Sequence, residues 1–217
     1  MLNYQTILFD LDGTLTDPKL GITKSVQYAL RKFDIHVENL DELVPFIGPP
    51  LANSFQEVYH FDAEQAKQAV EDYREYFKDT GIYENDVYPG IRDLLTMLRE
   101  QGRRLIVATS KPTVFAKRVV AHFELDMYFD DVCGSNLDGT MSDKAEIIQS
   151  ILDRYQVEKD RVIMIGDRKH DIIGAHKNDI ASIGIEYGYG SSEEIAQIKP
   201  TFITKTVHEL IQLFSHE

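Results

Sequence analysis

Three apolar runs stand out along the chain because they do not alternate: Ile7 to Phe9, Leu105 to Ala108 and Val162 to Ile165. Such runs suit strands buried on both faces, as in parallel sheets covered by helices. Between the first two runs the period becomes that of a helix. Ile22, Val26, Ala29, Leu30 and Phe33 share one face, and Leu40, Leu43, Val44 and Ile47 keep the spacing until Gly48, Pro49 and Pro50 stop it. Ala66, Ala69, Val70, Tyr73 and Phe77 mark a long amphipathic helix with Gly81 as its expected C-cap. Nothing from residue 17 to 86 alternates like a strand. From Val87 strands and helices follow one another again. Ile91, Leu94, Leu95 and Leu98 form a helix closed by Gly102, a short strand is expected toward Ser135, and a Phe202–Thr204 strand precedes a helix capped by Thr206 and Glu209. The prediction is an α/β fold, a doubly wound parallel sheet of residues 1–16 and 87–217. A small all-helical domain, residues 17–86, is inserted into it.

The apolar runs end in chemistry. Ile7–Phe9 leads to Asp10, Asp12, Gly13 and Thr14, and in open parallel sheets ligands bind beyond the carboxyl ends of the strands. Two acids so close repel, and a divalent cation with oxygen ligands, Mg²⁺ by preference, compensates them and also holds phosphate oxygens. The second run ends in Thr109, Ser110 and Lys111. Asp143, with Glu146 three residues on, is a capping-box pattern that places Lys144 in the first turn of a helix. A cation there usually faces solvent, but a helix N-terminus plus a lysine also suits an anion. The third run ends at Gly166 and is followed by Asp167 and Asp171, four apart, on one face if a helix begins near Asp167. Taken singly, each segment reads as a polar strand end, a cap or a surface charge. Asp126, Asp130 and Asp131 are read as solvated acids, and Arg168 and Lys169 as surface charges or as positive potential at the mouth of the site. His170 and His176 do not have the spacing of a helical zinc pair.

Composition narrows the class. The chain has 217 residues, 43% hydrophobic and 27% charged, enough for a core of one large domain with a modest insertion. A formal net charge of -13 argues against nucleic acid and anionic membrane as partners, so an anionic substrate needs a local basic cluster. Cys133 is the single cysteine, which precludes an internal disulfide and reads as a small core residue. The first residues lack a basic start and no apolar run is long enough to span a bilayer, so the expected location is cytoplasmic.

The segment Phe9–Asp17, FDLDGTLTD, closely resembles the first motif of the haloacid dehalogenase superfamily. Thr109–Lys111, Lys144 and Gly166–Asp171 resemble its second, third and fourth motifs in order, and the helical insertion sits where this superfamily carries its cap. Asp12 separates the chain from the dehalogenases proper, and Leu11 from the transport ATPases, which carry a lysine there. The resemblance is nearest to phosphoglycolate phosphatases. It implies that Asp10 is the nucleophile, forming an aspartyl phosphate, and that Asp12 is the general acid and base. Thr109 and Ser110 would bind phosphoryl oxygens, Lys144 would balance the charges, and Gly13, Thr14 and Lys111 would also face the phosphate. Mg²⁺ would be held by Asp10, the Asp12 carbonyl and Asp167, with Asp171 as ligand or support.

The substrate so implied is a small phosphorylated metabolite, acted on by a monomer or homodimer. Alternatives are a 5′-nucleotidase, a promiscuous sugar-phosphate phosphatase, a phosphomutase or a non-catalytic phospholigand-binding protein. The first cap helix lacks the histidine of the mutases, and intact motif acids argue against a purely binding role. Lys19, Lys24 and Lys32 are available for Schiff-base phosphonate chemistry. The FIGPPL turn, Phe46 to Leu51, resembles the cap loop that faces the active site in this subfamily, and Phe46, Tyr59 or Phe61 could offer a nucleobase an aromatic platform.

Overall fold

The computed structural model describes residues 2–215. Its first compact unit comprises Met1–Asp17 and Val87–Glu217, and the second is Pro18–Asp86. The first unit is built on a six-stranded sheet of β1 (Thr6–Phe9), β4 (Arg104–Pro112), β5 (Asp131–Ser135), β6 (Val162–Gly166), β7 (Ala181–Ile185) and β8 (Phe202–Thr204). The two-residue strands β2 (Thr16–Asp17) and β3 (Asp86–Val87) mark where the chain leaves and re-enters this unit.

The strand order is β5-β4-β1-β6-β7-β8 and every pairing is parallel. The unbroken apolar runs are the central strands, as their lack of alternation predicts: Ile7, Leu8, Phe9, Leu105 to Ala108 and Val162 to Ile165 are all fully buried. On one face Leu8, Ile106 and Met164 pack with Ile147, Ile148 and Ile151 of α6 (Lys144–Tyr155) and Ala175 of α7 (Lys169–Lys177). The chain proceeds from β1 outward to β4 and β5, then returns to the other side of β1 at β6. That reversal is the switch point beside which open α/β sheets bind ligands.

Several local expectations change. The helix from Leu40 is a 3-10 helix, Leu40–Phe46, because Pro45 lies inside it and cannot donate to an α-helical ladder. Gly81 is not a C-cap. The third helix, α3 (Ala63–Phe77), ends earlier, and Gly81 instead permits a close approach, since a Cβ there would lie 2.6 Å from Ser25 Oγ and 2.8 Å from the Gly21 carbonyl. Asp143 caps α6 through the Ala145 N–H at 2.8 Å, without the Glu146 partner. Asp130 is exposed, as expected, but ion-paired, and Asp131 is half-buried and bonded rather than solvated. Asp130 accepts from Arg99 at 2.7 Å and from the Leu105 N–H at 3.0 Å, and Asp131 accepts from Arg154, Tyr155 and the Cys133 thiol. Cys133 is only partly buried, and burial followed by Asp131 pushes its thiol up to about 12.

In the second unit the candidate lysines are ion-paired: Lys19 with Asp41 at 2.6 Å, Lys24 with Glu84 at 2.5 Å, and Lys32 with Asp72 and Glu75. A Schiff-base lysine must be neutral, and each of these pairs favours the charged form. Phe46 is buried in that unit's own core, edge-on to Phe55 at 4.9 Å, and Tyr59 and Phe61 pack into the same cluster. No helix among the described residues is long and apolar enough to cross a membrane.

Leu8 sits at the centre of the sheet with 0% exposure, so Leu8→Ala should cost about 2–5 kcal/mol through lost transfer energy and a residual cavity. Urea unfolding should show a lower midpoint at unchanged slope.

Candidate active site

Parallel register assembles the site. Phe9 lies level with Val107 on one side and Ile165 on the other, so Asp10, Thr109 and Asp167 emerge one or two residues later at the same end of three adjacent strands. The Asp10 N–H still donates to the Ile165 carbonyl at 2.9 Å, which fixes the backbone just where the side chain must be placed. All three residues are nearly inaccessible to solvent.

Lys144 lies at the head of α6, yet it does not face solvent and is 4% exposed. Its ammonium is 2.8 Å from Asp10 Oδ1 and 2.8 Å from Asp171 Oδ1, and it donates to the Ala108 carbonyl at 2.8 Å. Burial opposes the charge of Lys144, but Asp10 and Asp171 outweigh it and raise its pKa, so it remains a cation. Gly174 of α7 allows this approach, because a Cβ there would lie 2.9 Å from Lys144 Cγ.

Asp167 does not begin the helix. It lies in the turn after β6, where its Oδ2 accepts the Tyr189 N–H at 2.7 Å and its Oδ1 faces the Thr14 hydroxyl at 3.4 Å. Asp171 is in the first turn of α7, and its Oδ2 accepts the Arg168 N–H at 3.1 Å. Burial, reinforced by the neighbouring carboxylates, pushes Asp167 well above the usual range. Burial also pushes Asp171 up to about 6, with Lys144 opposing it. Asp167 in particular is a poor anion here until a positive charge joins it.

Asp10, Asp167 and Asp171 can each bring one carboxylate oxygen within 4.8 Å of the others. When ionised, three carboxylates against one ammonium leave two negative charges over in a buried site. An all-oxygen donor set with that charge fits a divalent hard cation, and no histidine belongs to the cluster. Asp171 already gives one oxygen to Lys144 and the other to a backbone N–H, which suits a supporting acid better than a ligand. The Asp12 carboxylate is not in the cluster. Lys111 holds both its oxygens, at 2.8 and 2.6 Å, and burial remains the largest influence on Asp12, raising its pKa.

The remaining expected residues fall into place unevenly. Thr109 is 2% exposed at the end of β4. The Ser110 hydroxyl is occupied, donating to the Ser142 carbonyl at 3.2 Å, so only its backbone is left to serve an anion. Lys111, read from sequence as a phosphate ligand, is paired with Asp12. Gly13 takes φ +87°, and a Cβ there would lie 2.3 Å from Asp167 Oδ2, so glycine is required twice over. Arg168 pairs with Glu194 at 3.1 Å. Sequence reading assigned nothing to Tyr187–Gly190, whose N–H and hydroxyl groups touch the Asp167 turn and the Thr14 loop. The signal was two glycines alternating with two tyrosines one residue after an apolar strand.

Residues 7–185 match the family model of the haloacid dehalogenase-like hydrolases. A 5′-nucleotidase of Pseudomonas aeruginosa is 50% identical over 92% of this chain and 90% of its own. The tyrosine-protein kinase PtkA of Mycobacterium tuberculosis is 34% identical over 95% of this chain and 71% of its own, and a phosphoglycolate phosphatase of Vibrio vulnificus is 27% identical over 95% and 94%. The crystal structure of a predicted phosphatase from Clostridium acetobutylicum superposes with a TM-score of 0.95 at 51% identity, covering 97% of this chain and 98% of that one. The chain belongs to the haloacid dehalogenase-like hydrolase family, as one of its phosphatases.

Proposed function

We propose that this phosphatase is Mg²⁺-dependent and hydrolyses nucleoside 5′-monophosphates through a phosphoaspartate on Asp10. The observation that carries the chemistry is the buried constellation of Asp10, Lys144, Asp167 and Asp171, with Asp12 beside it on the same loop. The 50% identity to a 5′-nucleotidase over nearly the whole chain supports the choice of leaving group. A second reading, 2-phosphoglycolate, rests on the motif resemblance and on the phosphoglycolate phosphatase relative. Both readings share one mechanism.

Asp10 and Asp167 are the residues that would hold the cation, with Asp171 supporting them; Mg²⁺ would supply charge neutralisation for nucleophile and phosphoryl oxygens alike. Asp10 attacks phosphorus in line with the departing oxygen. Asp12 gives that oxygen its proton and then takes one from the water that cleaves the phosphoaspartate, restoring Asp10 and releasing inorganic phosphate. Burial suits Asp12 to carry a proton, and a phosphoryl group competing for Lys111 would free it to do so. Thr109 Oγ1 and backbone N–H groups at the strand ends would bind the equatorial oxygens, where negative charge is spread in the transition state.

Phosphate release from nucleoside 5′-monophosphates, phosphoglycolate and sugar phosphates, measured with Mg²⁺ and with EDTA, should show nucleotides turned over fastest and all activity lost on chelation. A flat, EDTA-insensitive profile would refute the proposal. Asp10→Asn should lower kcat by on the order of 10⁴-fold or more while the protein stays folded by circular dichroism.

The carboxyl shifts give a second test. Asp171 is raised to about 6 and Asp167 is raised well above the usual carboxylate range, so the metal-free fold retains protons that the unfolded chain releases near pH 4. These acids therefore cost the metal-free protein stability as pH rises from about 4 through 6. A cation binds the deprotonated form, so the increase in Tm on adding Mg²⁺ should be larger at pH 8 than at pH 5. An increase independent of pH would contradict the assignment.

A further inference from the structure

After β7 the chain turns through Tyr187, Gly188, Tyr189 and Gly190 and closes around the turn that carries Asp167. The Tyr189 N–H holds Asp167 Oδ2 at 2.7 Å. A Cβ at Gly188 would lie 2.3 Å from Asp167 Cβ and 2.4 Å from the Gly13 carbonyl, and one at Gly190 would lie 2.0 Å from the Asp167 carbonyl. The bare backbone of this segment is thus in van der Waals contact with both the acid and the loop after Asp12. Its two tyrosines reach further along that loop. The Tyr187 hydroxyl donates to the Thr14 carbonyl at 3.0 Å, and the Tyr189 hydroxyl donates to the Asp17 carboxylate. Tyr88 packs edge-on against the Tyr187 ring, with centroids 5.2 Å apart. Burial raises the pKa of both phenols, which keeps them protonated donors throughout the working range.

We propose that Tyr187–Gly190 is a positioning segment that clamps Asp167 against the Asp12–Thr14 turn, presetting the cation-binding geometry, with the Tyr187 hydroxyl as its side-chain anchor. This rests on the reading of Asp10 and Asp167 as cation ligands. The physical reason is that Asp10 and Asp167 lie on different strands whose paired register ends at Phe9 and Ile165, closed by the bond from the Asp10 N–H to the Ile165 carbonyl, so the placement of Asp167 against the Asp12–Thr14 turn depends on the turns beyond that bond. A segment bonded to both loops removes that freedom before an ion binds, so the ion does not bear the cost of ordering them. Neither tyrosine touches the reacting atoms, so the effect is on affinity for the cation and on KM rather than on the chemical step.

The test is calorimetric titration of the intact protein with Mn²⁺ in the absence of substrate, for the wild type, Tyr187→Phe and Gly188→Ala, alongside steady-state kinetics across metal concentrations. Partners that orient metal ligands are worth about 10–100-fold in affinity, so Tyr187→Phe should weaken Mn²⁺ binding about 10-fold and Gly188→Ala more. The kcat of Tyr187→Phe should recover at saturating metal. A merely structural tyrosine would lower Tm and leave the Mn²⁺ Kd unchanged, and that result overturns the proposal. Should Gly188→Ala fail to fold, the Kd of Tyr187→Phe decides alone. A wild type that binds no Mn²⁺ would overturn the cation site itself, which distinguishes failure of that reading from failure of the clamp.

Discussion

One ammonium among three buried carboxylates is the interaction on which this structure depends. Lys144 touches Asp10 and Asp171 at 2.8 Å each and is anchored by the Ala108 carbonyl. Buried ions cost several kcal/mol each in lost hydration, and a cluster of like charges is tolerated only if countercharge is fixed close by. The lysine cancels one charge, and the charge left over on the ionised acids is what a divalent cation would balance. The same imbalance explains why Asp167 and Asp171 are reluctant anions on their own. If the cluster holds a cation as proposed, folding, cation binding and protonation form one coupled equilibrium at the end of this sheet.

The sheet makes that concentration of charge possible. Its central strands are buried on both faces, so their register is fixed by packing, and their ends line up within one or two residues. A slip of one residue would turn Asp10 away from the site and drive apolar side chains off their partners. Stability of the core and geometry of the site are thus held by the same contacts. Glycines at positions 13, 166 and 188 then bring loops into the site more closely than any side chain would permit.

The second pair of opposite charges, Asp12 with Lys111, is a different arrangement. It is balanced, lies outside the three-acid cluster and is also buried. Two acids two residues apart on one loop are in this way given separate environments, one partnered by a lysine shared with Asp171, the other by a lysine of its own. Separate environments of this kind are what the proposed division of labour between a nucleophile and a proton carrier on one loop would need.

Much of this was legible in the chain itself. Unbroken apolar runs determine buried parallel strands, and the acids, hydroxyls and lysine at their ends follow from local spacing, because the strand period is short-range physics. Even the helical character of residues 17–86 is a matter of period. What the sequence could not decide is which charges meet. Lys144 and Asp10 are 134 residues apart, and Lys111 and Asp12 are 99 apart. Local spacing left the first-turn lysine facing solvent, the motif resemblance made it a countercharge to the nucleophile, and the Thr109–Lys111 lysine was read as a phosphate ligand; the folded chain sets Lys144 against Asp10 and Asp171 and Lys111 against Asp12. The Tyr187–Gly190 segment matches none of the motifs read from the sequence, and its contact with the Asp167 turn arises from close backbone approach, which depends on where three chain segments cross. Period and composition determine elements; only tertiary structure decides which buried charges face each other, because that energy depends on distances no local pattern encodes.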